Sequence, residues 1–391
     1  MIKLLSGNKA AAHGVRLACP DVIATFPITP QTPLVEELES MYANGMLGDC
    51  EMVETEGENS SMSIVTAACV AGGRVFTATS SWGLAFMFEP MMYAAGMRVP
   101  VVMVDVCRES PAMRGVSAGR QDIMSARDLG WIQIECETCQ EILDSILMAY
   151  RLAEDSDILL PVVVAYDGYY LSHLSERVEV PDQAMVDRFL EPVRNSKRTK
   201  IRPGEALAFG MSFSEKLYVE YRYKAVCALE KVKEKFPQVE KEFEEIFGRY
   251  YGGMVDCYKA DDAEILLLTA GSCSGTAREM VDRERVKGNK VGLARIRMFR
   301  PYPRRELGAV LDGKKAVACI DSSLCLGWNC GHLYMEAKAV LPDLKAPPKM
   351  VDCIDGLSNL DITPEKFGKA LDLAYRAAAG EEVPEVSWLM W

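Results

Sequence analysis

The chain has 391 residues, 49% of them hydrophobic and 26% charged, which is typical of a globular protein large enough for two domains. Its formal net charge of −12 argues against a nucleic-acid surface or an anionic membrane as partner. No apolar run reaches the ~18 residues of a membrane span, and residues 1–6 turn polar too soon for a signal peptide. The 13 cysteines lie mostly in apolar segments, so we expect a cytoplasmic protein.

Apolar runs of strand length alternate with helical periodicity through the first half of the chain. We predict buried strands at residues 21–26, 74–79, 99–107, 131–135 and 158–166. Helices are expected between them at residues 31–43, 58–71, 81–96 and 139–153. This alternation predicts a mostly parallel sheet with helices on both faces.

The second half of the chain begins with a change of character. A charged, weakly periodic connection covers 174–212 and includes the basic segment 197–200. The charged helical stretch 216–247 is expected to break at Pro237 into a bridging helix pair.

A second α/β unit begins near residue 261, and its strands are predicted at residues 264–269, 290–297, 316–321 and 349–353. We therefore predict an α/β protein with two doubly wound, mostly parallel domains, residues 1–212 and 260–391, joined by a helical linker at 213–259. The tail 387–391 is unusually apolar, and we expect it to dock on a neighbouring subunit.

A proline-stiffened loop, Phe26-Pro27-Ile28-Thr29-Pro30, follows the first predicted strand. Prolines restrict themselves and the preceding residue to extended backbone. Thr29 is therefore expected to be held at the carboxyl end of a strand, where open α/β sheets bind ligands. A threonine before proline is otherwise common, so this loop alone does not identify a site.

Arg108 directly follows the very apolar run 99–107, so its guanidinium is expected at the same edge of the sheet. Arginine can grip a carboxylate with two parallel hydrogen bonds. The alternative is a surface ion pair with Asp105 or Glu109.

Three acids, Glu54, Glu56 and Glu58, surround Gly57 at the next strand-to-helix turn. A buried carboxyl at this place suits proton-transfer chemistry, and Glu56 is our candidate. Alternatively, the three acids only favour the amino terminus of a helix electrostatically.

Cys136 and Cys139 form a CxxC pair, but a structural zinc or iron–sulfur site needs about four ligands. No second pair follows at a suitable spacing, and Cys319, Cys325 and Cys330 lie at loose intervals. We therefore predict no metal site and assign these cysteines to the apolar core.

Taken in chain order, seven segments resemble the α subunit of thiamine-diphosphate-dependent 2-oxoacid:ferredoxin oxidoreductases of the pyruvate and phenylglyoxylate dehydrogenase type. The matching segments are residues 7–14, 27–30, 54–57, 76–84, 108, 167–173 and 297–303. The resemblance implies a pyrimidine-binding first domain and a transketolase-C-terminal-like second domain.

The resemblance also implies roles for individual residues. Glu56 falls on the glutamate that holds N1′ of the cofactor pyrimidine, and Pro27 and Ser81 would line the cofactor. Arg108 and Thr29 fall on the residues that hold the substrate carboxylate. The implied reaction is oxidative decarboxylation of a 2-oxoacid with coenzyme A to acyl-CoA and CO₂, with electrons passed to iron–sulfur clusters.

Half of such an active site is missing from the sequence. Residues 48–50 are only a poor match to the GDG motif, which binds Mg²⁺ in such enzymes. The chain also has no ferredoxin-type cysteine run. The resemblance thus implies Mg²⁺ and the diphosphate site on a β subunit, [4Fe-4S] clusters on a ferredoxin-like subunit, and a γ subunit. A ferredoxin or an NAD-reducing subunit would accept the electrons, in a dimer of hetero-oligomers.

The substrate and two rival functions stay open. The sequences of residues 108–115 and 120–122 differ from those of typical pyruvate enzymes. The overall sequence resembles the phenylglyoxylate dehydrogenase branch more, which favours a phenylglyoxylate-like substrate over pyruvate or a branched-chain 2-oxoacid. An oxalate-type enzyme would be expected to carry a positively charged residue at the position of Thr29, because its substrate has a second carboxylate. The rivals are a transketolase or a dehydrogenase E1-like subunit, and a non-catalytic scaffold.

Overall fold

Two mostly parallel sheets covered by helices organise the chain, which confirms the predicted fold class. The structure is a computed structural model, and it describes residues 1–109, 116–190, 204 and 214–390. The loop 110–115, the basic segment 197–200, the predicted boundary at 212 and the terminal residue 391 lie outside the described residues.

The first part of the chain contains, in order, β1 Ile2–Ser6, α1 Gly7–Ala18, β2 Val22–Thr25, α2 Thr32–Ala43, β3 Glu51–Glu54, α3 Glu58–Val70, β4 Val75–Thr79, α4 Trp82–Phe86, α5 Phe88–Met97, β5 Val102–Cys107, α6 Gln121–Ser125, β6 Ile132–Glu135, α7 Cys139–Ala153, β7 Val162–Asp167, α8 Tyr170–His173, β8 Ser175–Glu179 and α9 Gln183–Phe189. The remainder contains α10 Glu215–Phe247, β9 Val255–Tyr258, β10 Ile265–Thr269, α11 Cys273–Val286, β11 Val291–Ile296, β12 Met298–Arg300, α12 Arg304–Leu311, β13 Ala316–Asp321, α13 His332–Lys338, β14 Lys349–Ile354, α14 Pro364–Ala378 and β15 Val386–Trp388.

The first sheet has seven strands in the order β12-β6-β7-β5-β4-β2-β3. Strands β2 to β7 are parallel, and the apolar strands β4 and β5 are buried along their whole length. The chain runs from β2 outward to β3 and then returns to β4 on the other side of β2. A topological switch point therefore lies between β2 and β4, where open α/β sheets bind ligands.

The second sheet has six strands in the order β15-β14-β13-β10-β11-β9, with only β9 antiparallel to its neighbour. Two strands cross the predicted domain limits. β9 lies within the predicted linker but pairs with β11, and β12 comes from the second domain but pairs with β6 of the first sheet. β1 and β8 form a two-stranded antiparallel ribbon that was not predicted from the sequence, and β8 lies within the connection 174–212.

Two helical predictions are wrong in detail. The helix expected at 81–96 is two helices, α4 and α5, which meet at Met87. Pro90 explains the restart, because proline lacks the N–H that a continuous helix would need and is tolerated in a first helical turn.

The break expected at Pro237 is absent from the described chain, because α10 is one helix of 33 residues. Its buried face, which includes Val232, Phe236, Val239 and Phe243, packs on the first domain. Each fully buried apolar side chain contributes about 1.5–3 kcal/mol, so their sum outweighs the roughly 3 kcal/mol cost of an interior proline.

The apolar tail lies on the sheet of its own chain. Val386 pairs with Asp352 in a parallel bridge between β15 and β14, and Leu389 is buried. Part of the tail therefore packs on an edge of the second sheet of its own chain. Trp388 and Met390 stay exposed, so the docking of the tail 387–391 on a neighbouring subunit remains a prediction.

Buried ion pairs fix the two sheets relative to each other. Glu141 on α7 accepts hydrogen bonds from Arg295 Nη1 at 2.7 Å and from Arg297 Nε at 2.6 Å. Arg297 also pairs with Glu240 of α10, and all four side chains are buried. Such a network holds together only while every charge keeps its partner.

Candidate active site at the carboxyl edge of the first sheet

The carboxyl ends of β2, β3, β4 and β5 are neighbours in the first sheet, and the predicted site residues follow these ends. Thr29 follows β2, Glu56 follows β3, Ser81 follows β4 and Arg108 follows β5. The sheet order therefore gathers onto one edge segments that are far apart in the sequence.

Thr29 and Arg108 are brought into direct contact. Arg108 Nη1 donates a hydrogen bond to the Thr29 carbonyl at 2.8 Å. Arg108 is 9% exposed, so the alternative of a surface ion pair is wrong. The Thr29 side chain, in contrast, is exposed at the mouth of the site.

The proline loop is held rigidly at its far end as well. Asn8 Nδ2 donates to the Pro30 carbonyl at 2.8 Å, and Gln31 Nε2 donates to the Ala78 carbonyl at 3.1 Å. Pro27 is half-buried in the same loop, and its proposed contact with a cofactor stays a prediction.

Asp122 connects the two sides of the site. Its Oδ2 accepts hydrogen bonds from the Ser81 N–H at 2.9 Å and the Arg108 N–H at 2.8 Å, and its Oδ1 accepts one from the Ile123 N–H at 2.9 Å. Ser81 has a left-handed φ of 52°, a strained conformation for a residue with a side chain. The carboxylate of Asp122 therefore fixes the turn after β4 and the start of the arginine loop together.

A second acid, Asp105, lies beside Asp122. Asp105, Cys107 and Asp122 offer ligand atoms within 4.8 Å of one another, which is close enough to hold a cation. Both oxygens of Asp122 are already engaged by backbone N–H groups, however. Burial and the neighbouring carboxylate raise the pKa of Asp105 well above its ordinary value, and burial raises that of Asp122 to about 6. The two acids therefore share a proton more readily than a metal ion.

Glu56 follows β3 at the expected edge, and its role towards a cofactor stays a prediction. Its side chain is exposed in this chain, and Ser60 Oγ donates to Glu56 Oε1 at 2.6 Å. That hydrogen bond lowers the pKa of Glu56. The buried acid of the turn is Glu58, which is only 6% exposed and whose pKa is raised by burial.

The surroundings of Glu58 are polar and tightly packed. Thr79 Oγ1 and Ser80 Oγ are buried, and neither has a hydrogen-bond partner within the described ranges. A methyl group added at Gly83 would overlap both Glu58 Oε1 and Thr79 Oγ1, so these two atoms border one narrow space. The Glu58 carboxyl and the Thr79 hydroxyl are therefore packed closely against the start of α4, while the hydroxyl groups of Thr79 and Ser80 keep unused hydrogen-bonding capacity.

This narrow space gives a first prediction. We expect Gly83→Ala to displace the Glu58 carboxyl and to lower kcat of the assembled enzyme about tenfold, because small misplacements of a catalytic group are costly. The matched control is Gly96→Ala on α5, where an added methyl group meets no atom within 4 Å. The measurement is the steady-state kcat of the two variants, and equal kcat values would contradict the assignment of Glu58 to the active site.

Cys136 and Cys139 lie in the apolar core, as predicted. Burial raises the pKa of both thiols, and Cys139 Sγ faces the carbonyl oxygens of Leu171 and Leu174. Among the described residues, no helix combines the length and the apolar character needed to cross a bilayer.

Comparison with known proteins agrees with the resemblance read from the motifs. The family described as pyruvate flavodoxin/ferredoxin oxidoreductase, thiamine diphosphate-binding, matches residues 13–241, and pyruvate:ferredoxin oxidoreductase core domain II matches residues 263–367. The α subunit of NADH-dependent phenylglyoxylate dehydrogenase from Aromatoleum evansii is 38% identical, over 99% of this chain and 94% of that protein. The pyruvate synthase subunit PorA of Pyrococcus furiosus is 39% identical, over 99% of this chain and 97% of that protein.

A solved structure has the same fold. The 2-oxoglutarate:ferredoxin oxidoreductase from Magnetococcus marinus, with 2-oxoglutarate, coenzyme A and succinyl-CoA bound, superposes with a TM-score of 0.72 over 95% of this chain at 21% identity. The present chain spans 65% of that chain's length. With its first domain matched by the family and relatives aligned over nearly its full length, the chain belongs to the thiamine-diphosphate-binding pyruvate flavodoxin/ferredoxin oxidoreductase family.

Proposed function

We propose that this chain is the α subunit of a 2-oxoacid:acceptor oxidoreductase, which decarboxylates a 2-oxoacid and transfers the acyl group to coenzyme A. One observation carries the proposal. A single sheet edge presents a buried carboxyl, Glu58, and a buried guanidinium, Arg108, that is tied to the exposed Thr29. The reaction needs an acid for the cofactor and a cation for the substrate, and this edge offers both.

The acid for the cofactor is Glu58 in this proposal, in place of the Glu56 expected from the motif. Thiamine diphosphate, when bound, supplies the nucleophile that adds to the 2-oxo group. Glu58 would share a proton with the pyrimidine ring, and burial raises the pKa of its carboxyl. Ser81, which follows β4 at the same sheet edge, would line the cofactor.

The substrate carboxylate would be held by Arg108 and Thr29. A guanidinium carries its N–H donors in a planar fork that matches a carboxylate, and the hydrogen bond to the Thr29 carbonyl orients this group at the sheet edge. The burial of Arg108 strengthens such a charge-assisted contact relative to one in water.

The remaining parts of the enzyme are assigned to other subunits. We place Mg²⁺ and the diphosphate site on a β subunit, [4Fe-4S] clusters on a ferredoxin-like subunit, and coenzyme A as co-substrate of the complex. A γ subunit and a ferredoxin or NAD-reducing acceptor complete a dimer of hetero-oligomers. The relatives are themselves named as subunits, and all 13 cysteines are free thiols, which suits a cytoplasmic location.

The substrate is a phenylglyoxylate-like 2-oxoacid or pyruvate, the compounds named for the two kinds of relative. Steady-state assays of the purified complex with phenylglyoxylate, pyruvate and 2-oxoisovalerate decide among them. Bound iron and labile sulfide are expected in the same preparation. Turnover that needs neither coenzyme A nor an iron–sulfur partner would instead indicate a transketolase or E1-like subunit.

The role of Arg108 gives a second prediction. We expect Arg108→Lys to raise KM for the 2-oxoacid about tenfold with little change in kcat, because one ammonium group cannot hold the Thr29 carbonyl and grip a carboxylate at once. Arg283→Lys, on the exposed face of α11, is the control and leaves KM unchanged. An unchanged KM for Arg108→Lys would remove this residue from the substrate site.

A further inference from the structure

Two cysteines that the proposed reaction does not use face each other across a tight hairpin between β13 and α13. The Cys325 N–H donates to the Cys330 carbonyl at 2.8 Å, and the two residues form an antiparallel bridge. Both are free thiols, with Cys325 half-buried and Cys330 buried. The tip between them is open to solvent, and Trp328 is 73% exposed.

The backbone holds the two cysteines at a distance suited to a disulfide. Opposed residues of an antiparallel pair have Cα atoms about 4.5–5.5 Å apart, and disulfides span about 4.4–6.8 Å between Cα atoms. Gly327 and Asn329 have left-handed φ angles of 91° and 63°, which close the tip tightly. Asn329 N–H also donates to the Cys325 carbonyl at 2.7 Å, so the hairpin is fixed on both sides.

We propose that Cys325 and Cys330 are a modification site that forms a reversible disulfide with a low-molecular-weight disulfide as oxidant. The half-exposed Cys325 thiolate attacks the external disulfide, forms a mixed disulfide and releases one thiol. The Cys330 sulfur then attacks the Cys325 sulfur and expels the second thiol, which takes the proton from Cys330. Together the two protein thiols lose two electrons and two protons, and the external disulfide takes up these electrons and protons to become two thiols.

The order of attack follows from exposure. Cys330 is only 3% exposed, and burial raises its pKa to about 11, so it remains a thiol near neutral pH. Cys325 is therefore the entry point. The resolving step is intramolecular between facing residues, which compensates for the weak acidity of Cys330.

The hairpin is connected to the candidate active site. Leu324 N–H donates to Gln121 Oε1 at 2.8 Å, and Arg120 N–H donates to the Ser322 carbonyl at 3.0 Å. Asp122, the next residue, holds the Ser81 and Arg108 N–H groups. We expect the disulfide to stiffen the hairpin that carries this contact and to lower turnover about tenfold, since the placement of catalytic groups is exacting. This second effect rests on the proposed function, whereas the disulfide does not.

The test uses the reduced complex treated with oxidised glutathione, then alkylated and cleaved on the amino side of aspartates. This cleavage isolates residues 321–342, which contain Cys325 and Cys330 but not Cys319. The peptide is expected without alkylation and about 2 Da lighter than its reduced form, and dithiothreitol restores both thiols. Cys330→Ser is expected to stop at the mixed disulfide on Cys325, and Cys325→Ser to stay unmodified.

The exposed Cys227 provides two controls. In the wild type, a mixed disulfide on Cys227 shows that the oxidant reacted with the protein. In Cys227→Ser, the disulfide between Cys325 and Cys330 is expected to form as in the wild type. Alkylation of both hairpin thiols after Cys227 has been modified would overturn the proposal, as would a disulfide from Cys325 to any other cysteine. A disulfide with unchanged turnover overturns only the link to the active site. A complex inactive with every 2-oxoacid in both redox states contradicts the proposed function and leaves the mass result standing.

Discussion

Glu58→Gln is expected to lower kcat of the assembled complex by about 10²–10⁴-fold, the usual contribution of a positioned acid or base. Glutamine keeps the size of the side chain but cannot share a proton with the pyrimidine. The variant should fold normally, because burial disfavours the ionised carboxyl that is removed. Coenzyme-A-dependent reduction of an acceptor dye measures kcat, and the thermal midpoint reports folding.

Glu56→Gln is the matched control, since the same substitution is made two residues away. The Glu56 side chain is exposed and bound by Ser60, so its loss should change kcat by no more than about twofold. Titration with thiamine diphosphate should show weaker binding only for Glu58→Gln. The opposite pattern, with Glu56→Gln inactive and Glu58→Gln active, would restore the assignment read from the motif.

The choice between these two acids shows what the sequence can and cannot decide. The segment Glu54-Thr55-Glu56-Gly57-Glu58 identifies an acidic strand-to-helix turn, and the structure has that turn between β3 and α3. Which acid turns inward depends on the backbone after Gly57, where α3 begins. A spacing of two residues between identical acids carries no information on that direction.

Arg108 and Thr29 could be paired from the sequence because each follows a strand, and parallel strands end at one edge. Asp122 was not predicted as part of the site, since it follows no strand and carries no motif. Its role depends on the path of the loop that brings α6 back against the turn after β4. Such a return is a tertiary feature, and local periodicity does not contain it.

The fold, like the site, was predictable from the sequence only where local pattern determines the structure. Buried parallel strands such as β4 and β5 are continuous apolar runs and were predicted within a few residues. The ribbon strands β1 and β8 and the exchanged strand β12 are short or partly exposed, so their pairing depends on partners distant in sequence. At Pro237 local propensity predicts a break, and the packing of α10 overrides it.

Asp122→Asn is expected to lower kcat/KM by about 10–100-fold, since charge-assisted hydrogen bonds to two backbone N–H groups are weakened together. We assign Asp122 a positioning role, in which its effect passes through Ser81 and Arg108. The pH profile separates this positioning role from general loss of structure. The pKa of Asp122 is raised by burial to about 6, so wild-type kcat/KM should fall as the pH drops through about 6 and the carboxyl gains a proton.

The variant should lack that acid limb, because asparagine does not titrate in this range. Asp105→Asn is the matched control, since the pKa of Asp105 is raised well above its ordinary value and an amide imitates its protonated form. The kcat/KM of Asp105→Asn should stay within about threefold of the wild-type value, which corresponds to less than about 1 kcal/mol. If Asp105→Asn instead abolished activity while Asp122→Asn kept the acid limb, the negative charge of the pair would belong to Asp105. The hydrogen bonds of Asp122 would then be those of a neutral acid.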